Sequence, residues 1–331
     1  MRAAVCRQFG PPESIAVVDD YPVPALSDVN SVRVRVAAAA VNFPDVLFMA
    51  NQYQMTIPVP FIPGSEFAGV ITEAGDEVSG LAPGDRVMGT AMVGAFAEEI
   101  VVPARSLSRI PDGVPAEAAA AFGVAHRTAY HALRTIAEAT PGERLVVLGA
   151  GGGVGLAAVQ LGVVLGLDVT AVASSDEKLA VAKSYGAARG INHRVLKDTA
   201  ADLRKALKDA FPDGTDVVID PVGGDLAEPA LRSLRWAGRF VTIGYASGTI
   251  PKIPLNLVML KGCQVRGFQI RDLVANVPEA VRRDEAELHE LLAAGTVAPH
   301  IGASFTLPET AAALRHVADG KAIGKVVISV G

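Results

Sequence analysis

The sequence predicts an α/β protein in which a doubly wound parallel sheet follows a β-rich, barrel-like region, and three observations carry that expectation. After Gly142, apolar strand-like runs alternate with helical patterns, as they do where crossover helices link parallel strands. Before Gly142, short strands are punctuated by Gly, Pro and Asp, which marks a twisted, turn-rich sheet. Where the two regimes meet, the stretch RLVVLGAGGGVGLAAVQL, residues 144–161, joins one apolar run to another through a knot of glycines. It reads as strand, tight turn and helix. At 331 residues the chain is also long enough for about two domains of roughly 150 residues each.

In order along the chain, SVRVRVAAAAVN, EFAGVITEAG, GDRVMGTA and AFAEEIVVP are the strands of the first region. In the second, RLVVLGA is a strand and VGLAAVQLGVVLG a helix. DVTAVAS, DEKLAVAKSYGA and RGIN continue as strand, helix and strand, and TDVVIDPVGG, AGRFVTIG and CQVRGF supply three more strands. About six strands make a complete sheet of this kind. The tail is expected to carry one long helix from about Asp272 to Ala294, a second near Glu309 to Ala318, and a last strand, KVVISV, able to close the first sheet.

Composition narrows the function classes. Half of the residues are hydrophobic and 20% charged, so a core is easily built and disorder is not expected. The net charge of -5 is mild and Lys and Arg are scattered, which excludes the basic footprint of a nucleic-acid binder. Two distant cysteines, Cys6 and Cys263, give no disulfide scaffold and no cysteine-bound zinc, and fit a reducing cytoplasm. The opening MRAAVCRQFGPPES has no apolar core of signal-peptide length, so export is not expected. Residues 145–167 carry no charge and are long enough to span a bilayer. Five glycines among the seven residues 149–155, at about 1 kcal/mol each relative to Ala in a helix interior, argue instead for a break.

Gly149, Gly152 and Gly155 stand three apart. Glycines there let the chain turn sharply, let a pyrophosphate approach main-chain N–H groups at a helix N-terminus, and let that helix pack on its strand. The flanking strand and helix make this a Rossmann-type dinucleotide site rather than a chance pattern. The next strand ends AVASSDEK. An NAD site places Asp or Glu there for the ribose 2′-OH, whereas Ala173, Ser174 and Ser175 are small and neutral, with Lys178 close behind. That set tolerates and pairs a 2′-phosphate, although Lys178 also reads as a solvated helix lysine. Asp176 and Glu177 read as the acidic first turn of the following helix.

With these residues in view, the block VNFPDVLFMANQYQMTIPVPFIPGSEFAGVITEAGDEVSGLAPGDRV, the turn GAGGGVGLAAVQL, the segment DVVIDPVGGD and the ending GKAIGKVVISV resemble the quinone oxidoreductase, zeta-crystallin-like branch of the zinc-independent medium-chain dehydrogenase/reductase superfamily. The resemblance runs along nearly the whole chain. It implies a Rossmann cofactor domain, residues 123–264, inserted into a GroES-like catalytic domain made of residues 1–122 and 265–331. It further implies an NADPH:quinone oxidoreductase, with reduction of an enone, 2-alkenal or enoyl thioester C=C bond, or non-catalytic dinucleotide binding, as alternatives. A cytoplasmic homodimer paired through cofactor-domain edge strands is expected, with QVRGF as the candidate edge, and with neither a membrane nor a nucleic-acid partner.

The resemblance also assigns residues. Zinc-dependent relatives carry a Cys ligand where Asn42 stands and a His ligand where Ser65 stands. Glu66 and Asp45 do not make an open zinc site without thiolate or imidazole, and the six dispersed histidines show no ligand spacing, His126 and His131 reading as a helical pair. No metal is expected. Asn42 and Asp45 would sit near the nicotinamide and Tyr53 at the substrate pocket, where its O–H can meet a developing oxyanion. Asn42 equally reads as a turn cap, and Tyr53 as a packed loop aromatic. Cofactor contacts are implied for Asn42, Thr128, Gly149, Gly151, Gly152, Gly153, Val154, Gly155, Ser174, Ser175, Lys178, Val222, Gly244 and Lys325. Relatives commonly read INY after the third strand of the cofactor domain; here it is INHR, which puts His193 and Arg194 beside the phosphate or in a solvated turn. A short-chain dehydrogenase is disfavoured, because none of the five tyrosines has Lys four residues later.

Overall fold

The computed structural model describes residues 1–331 and divides into two compact units, Met1–Val124 with Ala298–Gly331, and Ala125–Val297. The first unit begins with strands β1 (Ala3–Cys6) and β2 (Ile15–Val18), an antiparallel pair. Its main sheet is assembled from β3 (Ser31–Val41), β4 (Glu66–Ala74), β5 (Arg86–Thr90), β6 (Glu99–Pro103) and β7 (Leu107–Arg109), with helices α1 (Phe43–Met49) and α2 (Ala116–Ala120). Val32, Val34 and Val36 of β3 point into the core while Arg33 and Arg35 face out, the alternation of a sheet with one wet face. Beyond them the strand is buried on both faces. Ala38 and Ala40 pack with Ala68, Ala119, Ala120 and Ala121, so the alanine-rich patches are where α2 lies close on β3 and β4.

The second unit starts with α3 (Ala125–His131), which runs into a π-helical turn over Ala132–Ile136. It then alternates β8 (Arg144–Leu148), α4 (Gly153–Val164), β9 (Asp168–Ala173), α5 (Asp176–Ser184), β10 (Arg189–Asn192), α6 (Thr199–Ala210), β11 (Thr215–Asp220), α7 (Ala227–Ser233), β12 (Leu234–Thr242), α8 (Leu255–Lys261) and β13 (Gln264–Gly267). All six strands are parallel and lie in the order β10-β9-β8-β11-β12-β13, the doubly wound arrangement expected. The inner strands β8 and β11 are buried almost throughout, because helices cover both faces, whereas β13 is an exposed edge. The uncharged stretch 145–167 is strand, turn and helix, and no helix is long and apolar enough to cross a membrane.

The tail differs from expectation in two ways. The single helix expected over 272–294 is two helices, α9 (Ile270–Asn276) and α10 (Pro278–Ala293). Val277 between them leaves helical geometry at φ -134°, ψ 56°, because the ring of Pro278 disfavours the α region for the residue before it. The chain also returns to the first unit at Ala298 rather than at 265. The physical reason is α10, which docks on α3: Tyr130 Oη donates to Glu287 Oε2 at 2.6 Å, the buried His131 Nδ1 meets Asp284 Oδ2 at 3.1 Å, and Val281, Leu288 and Leu292 are buried. His126 and His131 both lie on α3, as expected, and His131 also bonds to α10. The remaining elements are β14 (Ile301–Thr306), α11 (Thr310–Ala318) and β15 (Lys325–Ser329). As anticipated for KVVISV, β15 joins the first sheet, antiparallel to β3 with Val326 opposite Val41.

Candidate cofactor and active site

The glycine turn is built to leave main-chain donors open. Gly149 adopts φ +61°, a conformation that favours glycine, and Ala150 N–H donates to Val172 O at 3.0 Å, pinning the turn to β9. Helix α4 starts at Gly153 with Gly152 as its N-cap and no side chain capping it. The first intrahelical donor is Leu156 N–H, to Gly152 O at 2.8 Å, so the N–H groups of Gly153, Val154 and Gly155 are those of an uncapped first turn. A Cβ on Gly155 would overlap the Gly149 carbonyl, and one on Gly151 would overlap the stem of Lys178. These close approaches bring α4 and α5 onto the turn and fit it to a diphosphate.

The same edge of the sheet collects the other expected cofactor residues of the parallel-sheet unit except Thr128, because in a parallel sheet all carboxyl ends lie on one side. Gly149 follows β8, Ser174 follows β9, His193 follows β10, Val222 follows β11 and Gly244 follows β12. Val222 lies against Gly149, and its N–H and that of Gly223 both donate to Asp220 Oδ1 at 2.8 Å, which shapes that turn. Asn192 registers opposite Ala173, so Ser174 and His193 leave adjacent strands side by side. Ser175 caps α5 by accepting from Lys178 N–H at 3.2 Å, and Lys178 Nζ donates to Ser174 Oγ at 3.3 Å. Asp176 and Glu177 occupy the first helical turn, as expected, and Asp176 Oδ1 accepts from Asn192 Nδ2 at 2.9 Å. Burial draws the Lys178 amine below the usual lysine range, and the neighbouring Arg194 draws it further. His193 is lowered in the same way, by burial and then by Arg194 and Lys178. Three basic groups thus crowd one corner, where each favours an anion.

In the first unit a buried polar cluster forms around Asn42. Its N–H donates to Asp45 Oδ2 at 2.7 Å across the first turn of α1, its Nδ2 donates to Glu66 Oε1 at 2.9 Å and Ser65 Oγ at 3.3 Å, and its Oδ1 accepts from Lys325 Nζ at 2.7 Å. Lys325 Nζ also donates to Glu66 Oε1, and Val124 N–H donates to Glu66 Oε2 at 2.8 Å. Glu66 is 0% and Lys325 3% exposed. Burial pushes the Asp45 carboxyl up to about 7, against the opposing pulls of the Asn42 N–H, the Ser65 hydroxyl and Lys325, while Glu66 adds to the rise. Lys325, expected at the cofactor, is engaged by Asn42 and Glu66, so the positive charge between those two residues is an ammonium. Neither thiolate nor imidazole lines the cluster, and its donor set does not fit a zinc ion.

Tyr53 packs on Phe48, ring centroids 4.5 Å apart and tilted by 52°, at the margin of the first unit's core, and no protein group holds its hydroxyl. Thr128 is half-buried in the middle of α3. The structure thus groups Asn42, Asp45 and Lys325 in one unit and the glycine turn, Ser174, Ser175, Lys178, His193, Arg194, Val222 and Gly244 at one sheet edge of the other. Glu66 and Ser65 stood out in the sequence only at the positions of a zinc site, and their bonds to Asn42 and Lys325 were not foreseen, the Lys325–Glu66 pair being separated by 259 residues of chain. Sequence reasoning left out Asp220, whose only signal is its place at the end of a strand before Pro-Val-Gly-Gly.

A sheet domain that begins and ends the chain around an inserted parallel-sheet domain with a glycine turn defines a dinucleotide-type dehydrogenase/reductase, and comparison with known proteins agrees. Residues 28–112 match the alcohol dehydrogenase GroES-like domain and residues 153–286 the domain described as zinc-binding dehydrogenase. Quinone oxidoreductase-like protein 2 of Bos taurus is 38% identical over 99% of this chain and 92% of its own. The solved quinone oxidoreductase of Thermus thermophilus, also determined in complex with NADPH, is 32% identical with a TM-score of 0.82, covering 99% of this chain and 100% of that one. Escherichia coli quinone oxidoreductase complexed with NADPH is 25% identical with a TM-score of 0.88, at the same coverage. The chain belongs to the quinone oxidoreductase branch of the medium-chain dehydrogenase/reductase superfamily and is an oxidoreductase of that superfamily.

Proposed function

We propose that this protein is an NADPH-dependent quinone oxidoreductase that transfers hydride without a metal ion. The observation that carries the cofactor assignment is the end of β9, where no carboxylate stands for a ribose 2′-OH and Ser174, Ser175, Lys178, His193 and Arg194 gather instead. When bound, NADPH supplies the hydride. The uncapped N–H groups of Gly153, Val154 and Gly155 would hold its diphosphate, and Thr128, Val222 and Gly244 would border the rest of the molecule. Asn42, whose amide is fully engaged, keeps a positioning role beside Asp45, and Lys325 supplies the local positive charge that a metal gives elsewhere. The Tyr53 hydroxyl is the candidate donor to the oxygen that gains charge as a quinone is reduced.

The test is oxidation of NADPH and NADH by the purified protein against quinones, enones, alkenals and enoyl thioesters, with and without a chelator. Turnover of small quinones with NADPH, unaffected by chelation, is expected. Activity confined to enoyl thioesters, or recovered only by added metal, would show the reading to be wrong. Tyr53→Phe is expected to lower turnover by roughly 10 to 100-fold at unchanged NADPH affinity, by analogy with losing one oxyanion donor. Unchanged turnover would make Tyr53 a packing residue.

The proposal includes a homodimer formed through the edge strand β13. Its support is four exposed large apolar side chains on β12 and α8, the elements next to that edge in the chain and the sheet: Trp236, Leu255, Met259 and Leu260, each at least 70% exposed. Light scattering should give twice the chain mass at micromolar concentration, and a monomer mass removes the dimer.

A further inference from the structure

We infer that His193 couples binding of the adenosine 2′-phosphate to uptake of a proton, so that this residue's contribution to NADPH affinity grows as the pH falls. The inference rests on the NADPH reading above and goes beyond it in making cofactor choice depend on protonation of one side chain.

His193 stands at the sheet corner where Ser174 and the Lys178 amine meet, and Lys178 is close enough to act on its charge. His193 is the first residue after β10, next to Ser174 at the end of β9, and the Lys178 amine reaches over to Ser174 Oγ at 3.3 Å. The charged groups around it come from three directions. Arg194 is its chain neighbour. Helix α5 contributes Asp176, Glu177 and Lys178, and the α6 side contributes Lys197, Asp198 and Asp202. Of the acids, Asp176 accepts from Asn192, Asp198 caps α6 through Ala201 N–H, and Asp202 accepts the N–H groups of Lys197 and Asp198. No carboxylate is hydrogen-bonded to the His193 ring. In the free protein, burial, Arg194 and Lys178 all act against an imidazolium. A bound phosphate dianion reverses the sign of the local field and favours it.

The direction of the linkage follows. The histidine binds its proton more tightly in the complex than in the free protein, so the affinity it adds is fully present below its free-state pKa and is lost as pH rises through its bound-state value. The 2′-phosphate titrates in the same range, and comparison of two proteins that bind the same ligand cancels that contribution.

The experiment is calorimetric titration of the intact protein and of His193→Gln with NADPH and with NADH between pH 6 and pH 8.5. At pH 6 the substitution should weaken NADPH binding by about tenfold, the low end for one charge-assisted contact, and the ratio should fall toward one by pH 8.5. NADH binding should change little at any pH. A second readout needs no variant: the His193 ring resonances should show a raised pKa on adding NADPH and none on adding NADH. A ratio that is flat with pH, or ring resonances unmoved by NADPH, overturns the proton coupling while the preference for NADPH stands. Equal binding of NADPH and NADH by the unaltered protein overturns the NADPH reading itself, and the coupling with it.

Discussion

Replacement of Lys325 by methionine is expected to lower the unfolding free energy by about 3–5 kcal/mol, the cost of leaving a buried charge without its partner. Lys325 and Glu66 are both buried, and the ammonium bridges Glu66 to Asn42. Methionine keeps most of the stem's volume, so the loss isolates the charge rather than a cavity. Glu66 would retain only the N–H donors of Asn42 and Val124. Urea denaturation of the parent and the variant measures this loss. The double variant Lys325→Met, Glu66→Gln should recover most of the loss, because both charges are gone together. A deficit under about 1 kcal/mol, or no recovery in the double variant, would mean that the pair does not hold the cluster together.

Lys178→Met is expected to weaken NADPH binding by about 1.5–3 kcal/mol, roughly 10 to 150-fold, with NADH binding within about twofold of the parent. Methionine suits the test because the Lys178 stem lies over Gly151, where even a Cβ would overlap it. Shortening the residue to alanine would loosen the glycine turn and so weaken both cofactors. With the stem kept, only the charge is removed, and its effect should appear with the ligand that carries the additional phosphate. The amine's position beside Ser174 at the end of β9 supports this assignment. Equal losses for both cofactors would place Lys178 in the packing of the turn, and no loss for either would place the 2′-phosphate elsewhere.

Much of the second unit was legible because its signals are local. The inner strands of 144–267 are short apolar runs between turns, and their alternation with helices marks a parallel sheet with all carboxyl ends on one side. Gly149, Ser174, His193, Val222 and Gly244 share an edge for that reason alone. The break at Val277 was missed, although its signal, Pro278 inside the expected helix, is local. What was not legible is the boundary at Ala298. It depends on Tyr130 and His131 meeting Glu287 and Asp284, contacts across more than 150 residues that no periodicity encodes.

The first unit's cluster separates the two kinds of information most clearly. By itself the sequence determined that neither thiolate nor imidazole stands at 42 or 65, since ligand chemistry is a matter of residue type. It also determined the glycine turn and the absence of a ribose carboxylate, which depend on short spacings. Only the tertiary structure decided that Lys325 lies between Asn42 and Glu66. That outcome needs β15 to run antiparallel to β3 and to begin beside the end at which Asn42 leaves β3. A buried ammonium is stable where its partners converge on it, and convergence of residues 42, 66 and 325 is a property of strand pairing rather than of any stretch of chain.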